Sequence, residues 1–516
     1  MIVDHLGVPS ADQPSTSYEE LAGLVASLVA RVDALEAENS RLRAENVELK
    51  RRLGMTSSNS GTPTSKESIE AAAERKAARQ SSQRVRSKDR RPGGQKGRKG
   101  AGLEPAGDAE LDDTRLAEPP AECRGCGAGL DGAADAGVTW AQVWDIPPVG
   151  LSKVKWVLPR RRCGCCRTTT TAAVPDAPSA RAATVSYGPN VNAAAVLLGS
   201  EGNVPVERTA MLMEALLGAP VSAGFVARAH RRLAERLEAA GFTTGLKDAL
   251  AAEDVLCADE TPINIAFKDL DERGDPVPGA EHVITIRTPD ERLVLLEAVS
   301  SRSSDAIRAV GVLDDWRGIL VRDDYKGWAQ FDAQLAGVGQ CGAHIIRHLQ
   351  GVWDLHPQWQ AWAGQVQQIL REAGTAVADA KADGRTHLDP DLLADLRDRY
   401  DKAVTWGIDT NRHRDWKDGK NHPGHVLARR LRDKADQIWL WTIDFAVPWT
   451  NNASERALKN PKLHQKVSGY WHTLATAARY CQVRSYLISA RNHGVRPIDA
   501  IHRALTGTPW TPPAKA

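Results

Sequence analysis

The sequence predicts an α/β catalytic domain preceded by several smaller modules. Helical spacing of apolar residues dominates most of the chain, but four apolar runs have strand length, at residues 254–265, 282–287, 292–300 and 318–322. The first run carries Asp259 out to where its strand pattern stops, and the last leads directly into Asp323. Two carboxylates are therefore expected at strand ends of one sheet.

A third carboxylate comes much later, in residues 449–459. Asn451 and Asn452 make a good helix N-cap there, and Glu455 follows in the first turns. Strand Asp, strand Asp and helix Glu are hard oxygen ligands suited to Mg²⁺ or Mn²⁺. Each acid alone is explained as well by a turn cap or a helix-dipole partner, but together they predict an active site.

Three blocks carry a resemblance to a known family: Ala258-Asp-Glu-Thr-Pro262, Arg322-Asp-Asp-Tyr-Lys-Gly-Trp328 and Asn451-Asn-Ala-Ser-Glu-Arg-Ala-Leu458. In this order they resemble the catalytic blocks of the insertion sequence 66 family of DDE transposases. The resemblance extends over nearly the whole chain. It implies a ribonuclease H-like (retroviral integrase-type) core whose acidic triad is Asp259, Asp323 and Glu455.

The second block departs from the family's usual Asp-Gly-Tyr, because this chain has Asp323, Asp324 and Tyr325 there. We place Asp323 in the triad by its register ahead of Tyr325, and Asp324 stays the alternative. His344 lies in a further block that resembles the family, and either a substrate-positioning role or a buried structural role fits it.

The resemblance also implies a reaction and its cofactors. Two Mg²⁺ or Mn²⁺ ions, roughly 3.5 to 4 Å apart, would be bridged by Asp259 and held singly by Asp323 and Glu455. Water would nick the element end, and the released 3′-hydroxyl would attack target DNA. Arg456 and Lys462 are predicted DNA contacts; Lys462, seven residues after Glu455, shares its helix face if the helix continues through Pro461.

Length and composition bound the class of protein. With 516 residues, 42% of them hydrophobic, the chain is expected to form several modules, and its formal net charge of +2 hides a strongly basic segment. No run approaches the roughly 18 apolar residues of a membrane span, and eight cysteines are too few for a disulfide scaffold. We expect no membrane contact and a cytoplasmic, nucleoid-associated bacterial protein.

A leucine-zipper coiled coil is predicted at residues 18–54, after a polar tail at 1–17. Its d positions are Leu at every seventh residue, and its a positions include Val and two Asn: Leu21, Leu28, Leu35, Leu42 and Leu49, with Val25, Val32, Asn39, Asn46 and Leu53. This pattern favours a parallel two-stranded coil and hence a homodimer or higher oligomer. A long amphipathic helix folded back on its own chain is the alternative.

Residues 55–104 are interpreted as a flexible linker followed by a basic arm. Between residues 75 and 100 there are eleven Lys or Arg and one acidic residue, Asp89. Such density is typical of arms that bind nucleic acid, although a solvated tail also fits. The predicted DNA contacts in this arm are Arg90, Arg91, Lys96, Arg98 and Lys99.

A zinc ribbon is predicted at residues 105–180. Two C-x-x-C pairs, Cys123 with Cys126 and Cys163 with Cys166, suit one closed structural Zn²⁺ site. Cys165 competes as a ligand, and reduced free cysteines are the alternative. Strand-like patterns at residues 138–147 and 153–158 lie between the pairs.

Short helices at residues 181–246 suit a helix-turn-helix-like domain. Residues 222–232 would form its recognition helix, with Arg228, Arg231 and Arg232 toward DNA. Simple packing of the helices is equally compatible with the pattern.

The ribonuclease H-like core then occupies residues 247–350 and 447–495. Between Asp323 and Glu455 lie 131 residues, too many for a bare core, so 351–446 is predicted to be an all-α insertion with helices at 349–370, 389–404 and 427–441. Its seven tryptophans are expected mostly in its core: Trp353, Trp359, Trp362, Trp406, Trp416, Trp439 and Trp441. The alternative places one of them, such as Trp416 beside Arg412 and Arg414, on an unpaired base at a transposon end. Residues 496–516 are interpreted as a C-terminal tail.

The sequence therefore predicts a DNA transposase that binds terminal inverted repeats and target DNA. The family resemblance adds small accessory proteins of the same element as candidate partners. A DNA-binding regulator without catalysis and a ribonuclease H-like nuclease are the alternatives. The intact acidic triad favours the enzyme over the regulator. The nuclease leaves the zipper, the zinc ribbon and the basic arm unexplained.

Overall fold

The computed structural model describes residues 31–32, 38, 104–147, 149–174, 184–267, 280–414, 416 and 419–513. The chain divides into two units, Met1–Val85 and Arg86–Ala516, and the elements below belong to the second. Of the predicted coiled coil, Arg31, Val32 and Glu38 are described, and they are helical. Its other residues, the polar tail and the basic arm with Arg90, Arg91, Lys96, Arg98 and Lys99 lie outside the described residues.

Seven strands are found in the described residues: β1 (Arg160–Arg162), β2 (Thr169–Thr171), β3 (Val255–Pro262), β4 (His282–Arg287), β5 (Val294–Val299), β6 (Ile319–Arg322) and β7 (Gly337–Gln340). The same residues form these α-helices: α1 (Pro189–Ser200), α2 (Val206–Leu217), α3 (Ala223–Ala239), α4 (Phe242–Ala251), α5 (Ser304–Arg308), α6 (Gly342–Leu355), α7 (Ala361–Ala382), α8 (Pro390–Asn411), α9 (Pro423–Asp433), α10 (Ala435–Ile443), α11 (Asn452–Ser468), α12 (Leu474–Asn492) and α13 (Pro497–Thr506).

The centre of the fold is a five-stranded mixed sheet with the order β5-β4-β3-β6-β7. Strand β3 is antiparallel to β4 and parallel to β6, and β7 extends the parallel side. The four predicted strands are present. Strand β7 was not predicted, since Gly337 and Gly339 weaken its strand pattern; a Cβ on Gly339 would lie 3.1 Å from Val321 of β6. The mixed α/β class is confirmed.

Alternating side chains of β3 enter two different hydrophobic cores. Leu256 and Ala258 face the helices α1 to α4, whereas Val255 and Cys257 face the helices that follow β7. The sheet is therefore covered on both faces, which explains why its strands read as nearly continuous apolar runs.

The segment predicted as a C-terminal tail contains helix α13. Its small apolar residues Ala500, Ile501 and Ala504 are fully buried, and Trp510 beyond it packs near Phe242 and Tyr486. This end of the chain completes the same core as α1 to α4 and the sheet. The predicted helices of residues 181–246 are present, but they pack as a layer of that shared core.

The long segment between the second and third acids is helical after β7, through α6 to α10. The single helix predicted at 349–370 is wrong, because α6 ends at Leu355 and α7 begins at Ala361, with Pro357 between them. Of the seven tryptophans expected in this core, three are buried, Trp362, Trp439 and Trp441. Three others are substantially exposed, Trp353, Trp359 and Trp406.

The strands predicted at 138–147 and 153–158 are not formed in the described residues. Apolar side chains there, such as Val138 and Val143, are exposed, and no neighbouring strand supplies a hydrogen-bonding partner. The short hairpin of β1 and β2 flanks the second cysteine pair instead. No helix in the described ranges is long and apolar enough to span a membrane.

Candidate functional site

Asp259 and Asp323 lie side by side at one end of the parallel strands. The β3–β6 ladder ends with Cys257 opposite Val321. Asp259 lies two residues later within β3, and Asp323 lies two residues later, directly after the end of β6. Neighbouring strands are about 4.8 Å apart, so this register brings the two carboxylates to the same edge. Strand β3 does not stop at Asp259 as predicted, because its antiparallel pairing with β4 continues to Pro262.

Local hydrogen bonds fix the turn that carries Asp323. Its Oδ1 accepts the backbone N–H of Tyr325 at 2.9 Å. The buried Arg322 donates to the Asp323 carbonyl at 2.8 Å and pairs with Asp332 at 2.7 Å. The charged end of an otherwise apolar strand therefore anchors the loop behind the site.

The third acid reaches the site because a buried polar network holds the start of α11 against the sheet. Asn451 precedes this helix, but its side chain does not cap it. Its Nδ2 donates to the Ala258 carbonyl at 2.7 Å, and its Oδ1 accepts from Arg287 at 3.1 Å and from Ser454 at 2.5 Å. Ser454 in turn accepts from Arg287 Nε at 2.8 Å. This network fixes the helix that carries Glu455 beside Asp259.

Helix α6 contributes two side chains to Glu455. Arg347 Nη2 lies 3.3 Å from Glu455 Oε1, and His344 Nε2 lies 3.9 Å from it. Burial, and then the charge of Arg347, lower the pKa of His344, so its imidazole is neutral at pH 7. Its Nδ1 is buried without a hydrogen-bond partner. His344 therefore lies next to a predicted catalytic acid.

The carboxylates of the site repel one another in a partly buried setting. Burial, the charge of Glu260, and then those of Asp323 and Glu455 raise the pKa of Asp259 to about 7. Burial and the charge of Asp323 raise the pKa of Glu260 to about 7 as well, although Glu260 accepts the Trp328 indole N–H at 2.8 Å. Ionisation of Asp259 and Glu260 is therefore disfavoured below about pH 7, and a nearby cation would favour it.

Asp324 points away from this group, toward the helical segment. It pairs with Lys434, at the junction of α9 and α10, and with Arg430 of α9 at 3.4 Å. Two cations already neutralise Asp324, whereas Asp323 is coupled electrostatically to Asp259. This arrangement favours Asp323 as the second acid of the site.

The donor chemistry of the site fits a divalent cation, since oxygen ligands with excess negative charge are what Mg²⁺ and Mn²⁺ select. Asp259 is coupled to both Asp323 and Glu455. Within the described ranges, however, no three His, Cys, Asp or Glu side chains are close enough together to hold a metal ion. Glu455 is directed to Arg347 and His344 instead.

Comparison with known families agrees with these blocks. Residues 184–479, more than half of the chain, match the family described as Transposase IS66 family. The chain belongs to the IS66 family of transposases. Residues 8–104 match a second family, of unknown function (DUF6444), and no curated protein matches the chain. Family membership supports an enzyme that acts on DNA.

The three arginines of α3 that were predicted to contact DNA differ in exposure. Arg228 and Arg231 of α3 are exposed, and Arg231 pairs with Glu235 at 3.5 Å. Arg232 does not project outward as predicted, because it hydrogen-bonds to Asn192 and lies 5.1 Å from the Phe225 ring. Burial and the two neighbouring arginines lower its pKa. Arg232 therefore contributes to packing between α1 and α3.

On the acid-bearing helix, both predicted contacts are exposed. Helix α11 continues through Pro461, which is buried on its opposite side, so Lys462 and Glu455 share one exposed face. Arg456 is also exposed and pairs with Glu291.

The two cysteine pairs ahead of the matched region have the same backbone turn. The amide of Cys123 donates to Ala128 at 2.8 Å, and the amide of Cys163 donates to Thr168 at 2.9 Å. The fifth position of each turn, Gly127 or Arg167, has positive φ, 74° and 59°. This correspondence aligns Cys165 with Gly125, a position that carries no cysteine in the first turn.

One cysteine of each pair has a lowered pKa. Backbone amides of Cys126 and Gly125 lower the pKa of Cys123, and hydrogen bonds from Thr168 and then Cys163 lower the pKa of Cys166 to about 7. Thiolates suit Zn²⁺. The two pairs are not assembled into one four-cysteine group in the described part of the chain.

Sequence reasoning missed several residues of the site. Glu260 lies inside the first quoted block, and Arg287 is the charged end of an apolar strand, which is a visible signal. Arg347, Arg430 and Lys434 carried no signal, because their roles depend on how helices fold back onto the sheet.

Proposed function

We propose that the chain is a DNA transposase that binds the terminal inverted repeats of an insertion sequence and catalyses two-metal-ion cleavage and strand transfer. One observation carries the proposal. Two aspartates extend adjacent parallel strands in register, and a buried network fixes the helix of Glu455 onto the same strand. This supports a ribonuclease H-like core with an all-α insertion.

Asp259, Asp323 and Glu455 would hold two Mg²⁺ or Mn²⁺ ions. When bound, these ions activate the attacking oxygen and stabilise the leaving oxygen. Asp259 must lose its proton to bind a cation, and its raised pKa puts that loss near pH 7. Glu455 must leave Arg347 at 3.3 Å to join the aspartates, which frees that guanidinium for a DNA phosphate.

The proposed reaction has two steps. The first hydrolyses one phosphodiester bond, and the second exchanges one phosphodiester bond for another. Water breaks the bond between the 3′ oxygen of the element end and its phosphorus, leaving a 3′-hydroxyl. That hydroxyl attacks a phosphorus of target DNA, forms a new phosphodiester bond and displaces a target 3′-hydroxyl. The neutral His344 lies beside Glu455, where it can orient the DNA or water without adding charge.

The remaining modules are assigned to DNA binding and assembly. Arg228, Arg231, Arg456 and Lys462 would contact DNA together with the basic arm, Cys123, Cys126, Cys163 and Cys166 would bind one structural Zn²⁺, and the zipper would form a homodimer. Activity on chromosomal DNA would place the protein at the bacterial nucleoid. Sedimentation of the full chain and of a chain lacking residues 1–54 tests the dimer.

Cleavage of a plasmid carrying the element's two ends tests the function. We expect nicks at those ends with Mg²⁺, free 3′-hydroxyl termini and no covalent protein–DNA product. A DNA–protein adduct would refute the two-metal mechanism in favour of covalent catalysis, whereas end binding without any cleavage under varied Mg²⁺ and Mn²⁺ would leave the chain as a non-catalytic regulator.

A further inference from the structure

Helix α11 carries a line of positive charge that starts at the acidic site. Successive residues turn by about 100°, so Glu455, Lys459, Lys462 and Lys466 fall within about 60° of one another around the helix axis. All four are exposed. None of the three lysines pairs with a carboxylate among the described residues, so their charges are available to phosphates.

An exposed aromatic cluster lies where this line ends. Phe267 is 65% exposed and Tyr470 is 51% exposed. Between them, His472 stacks on Phe267 with 6.0 Å between ring centroids and meets the Tyr470 ring edge-on at 5.7 Å. We call Phe267, Tyr470 and His472 the aromatic platform.

The platform is held by backbone pairing between the two catalytic segments. The amide of Phe267 donates to the His472 carbonyl at 2.9 Å, and the amide of Trp471 donates to Asn264 at 3.0 Å. Trp471 is buried and stacks on His464 of α11 at 4.8 Å. Because Trp471 is anchored inward, its neighbours Tyr470 and His472 are exposed on a fixed backbone.

We propose that the aromatic platform binds an unpaired nucleobase of the DNA strand whose phosphates lie along Lys459, Lys462 and Lys466. Exposed rings next to a cationic track are what single-stranded nucleic acid requires, since every base has a stacking face. The inference rests on the proposed function, because it takes the DNA at Glu455 as the start of the track. It assigns a base-stacking subsite to the third catalytic segment.

The helix length sets the register of that base. From Glu455 to Ser468 α11 advances about 20 Å, and one strand of B-form DNA advances about 3.4 Å per nucleotide. The stacked base should therefore lie about six nucleotides from the cleaved phosphate. Unpairing there would orient the end of the element relative to the acids.

Equilibrium binding without added Mg²⁺ or Mn²⁺ tests the subsite without catalysis and leaves the proposed structural Zn²⁺ in place. The probes are a fluorescent duplex of about two helical turns and the same duplex with a central stretch of unpaired thymidines. The full chain should prefer the unpaired probe, and a Phe267→Ala/Tyr470→Ala double variant should lose about tenfold in affinity for it. Its affinity for the paired duplex should stay within about twofold.

Two further variants make the result specific. Trp406→Ala removes another exposed ring, 42% exposed on α8, and should leave the preference intact. Tyr470→Trp retains a stacking face and should also keep it. An unchanged preference in the double variant, or an equal loss in Trp406→Ala, overturns the proposal, as does a change in self-association by sedimentation without a change in DNA binding.

Cross-linking checks the register. With 5-iododeoxyuridine placed at successive positions of the element end, the strongest cross-link to Tyr470 or His472 should come about six nucleotides from the cut. Cross-links to the platform from every position equally would contradict it. If the chain joins DNA normally but does not prefer the unpaired probe, the stacking subsite alone is refuted. If the chain fails to cleave DNA, the proposed enzymatic function is refuted, and the binding test still reports on the subsite.

Discussion

Replacing Asp259 by Asn should stabilise the protein at alkaline pH while abolishing activity. Burial and three neighbouring carboxylates raise the pKa of Asp259 to about 7 in the folded state. In the unfolded chain an Asp titrates near 3.9, so ionising Asp259 costs the folded state about 4 kcal/mol. Part of that cost is shared repulsion with Glu260, so a single substitution should recover about half, about 2 kcal/mol.

The sign of the pH dependence follows from the raised pKa. Stability contributed by protonated Asp259 is present below about pH 4 and is lost as the pH rises to about 7. The neutral Asn avoids this loss. Without added Mg²⁺ or Mn²⁺ the variant should therefore unfold about 2 °C above wild type at pH 8, and the difference should disappear toward pH 4.

Thermal unfolding at several pH values, with and without Mg²⁺, measures both effects. Mg²⁺ at pH 8 should raise the melting temperature of wild type more than that of Asp259→Asn, because binding favours the state that holds the cation. Asp324→Asn is the matched control. It loses the ion pairs with Lys434 and Arg430, so it should not be stabilised at pH 8 and should keep the Mg²⁺ effect. Equal melting of Asp259→Asn and wild type at pH 8 without added Mg²⁺ or Mn²⁺ would refute the reasoning.

Three further predictions concern the second acid of the site, the two cysteine pairs and the hydrogen bonds of Asn451. Asp323→Asn should abolish cleavage and joining while Asp324→Asn is milder; the reverse order of severity would show that the second acid is assigned one residue too early. Elemental analysis should find one Zn per chain, lost in Cys123→Ser and in Cys166→Ser but kept in Cys165→Ser, and metal-free protein with an intact ribbon would contradict the zinc assignment. Asn451→Ala removes the hydrogen bonds of the Asn451 side chain to Arg287 Nη2 and to the Ala258 carbonyl, so urea unfolding should show a loss of about 1–3 kcal/mol and strand transfer should slow. The exposed neighbour variant Asn452→Ala should change neither.

The strands and most helices were predictable because their apolar spacing is local. The run at residues 254–265 gave β3, and the Asp323 strand was located equally well. The strand order was not predictable, since the pairing of β3 with β6 joins segments about 60 residues apart. Strand β7 could not be predicted because its two glycines have low strand propensity. The strand is stabilised instead by close packing of Gly339 against Val321.

Buried charge explains the residues that sequence reasoning missed. Arg287 and Glu260 look like ordinary polar ends of strands, yet Arg287 is 1% exposed and its side-chain partners Ser454 and Asn451 lie more than 160 residues away. Arg232 shows the opposite error, because a helical arginine beside two exposed ones packs inward onto Asn192. Helix α13 was not predicted because only three of its residues are buried, Ala500, Ile501 and Ala504. In each case the deciding contact is tertiary.

Strand transfer on pre-cleaved element ends is the most direct test that the three acids form one active site. We expect wild type with Mg²⁺ to join these ends to target DNA. Asp259→Asn, Asp323→Asn and Glu455→Gln should each bind the ends as wild type does and give no joined product, because each loses a charge needed to hold a cation. Joining at the wild-type rate by any one of the three variants would contradict the account.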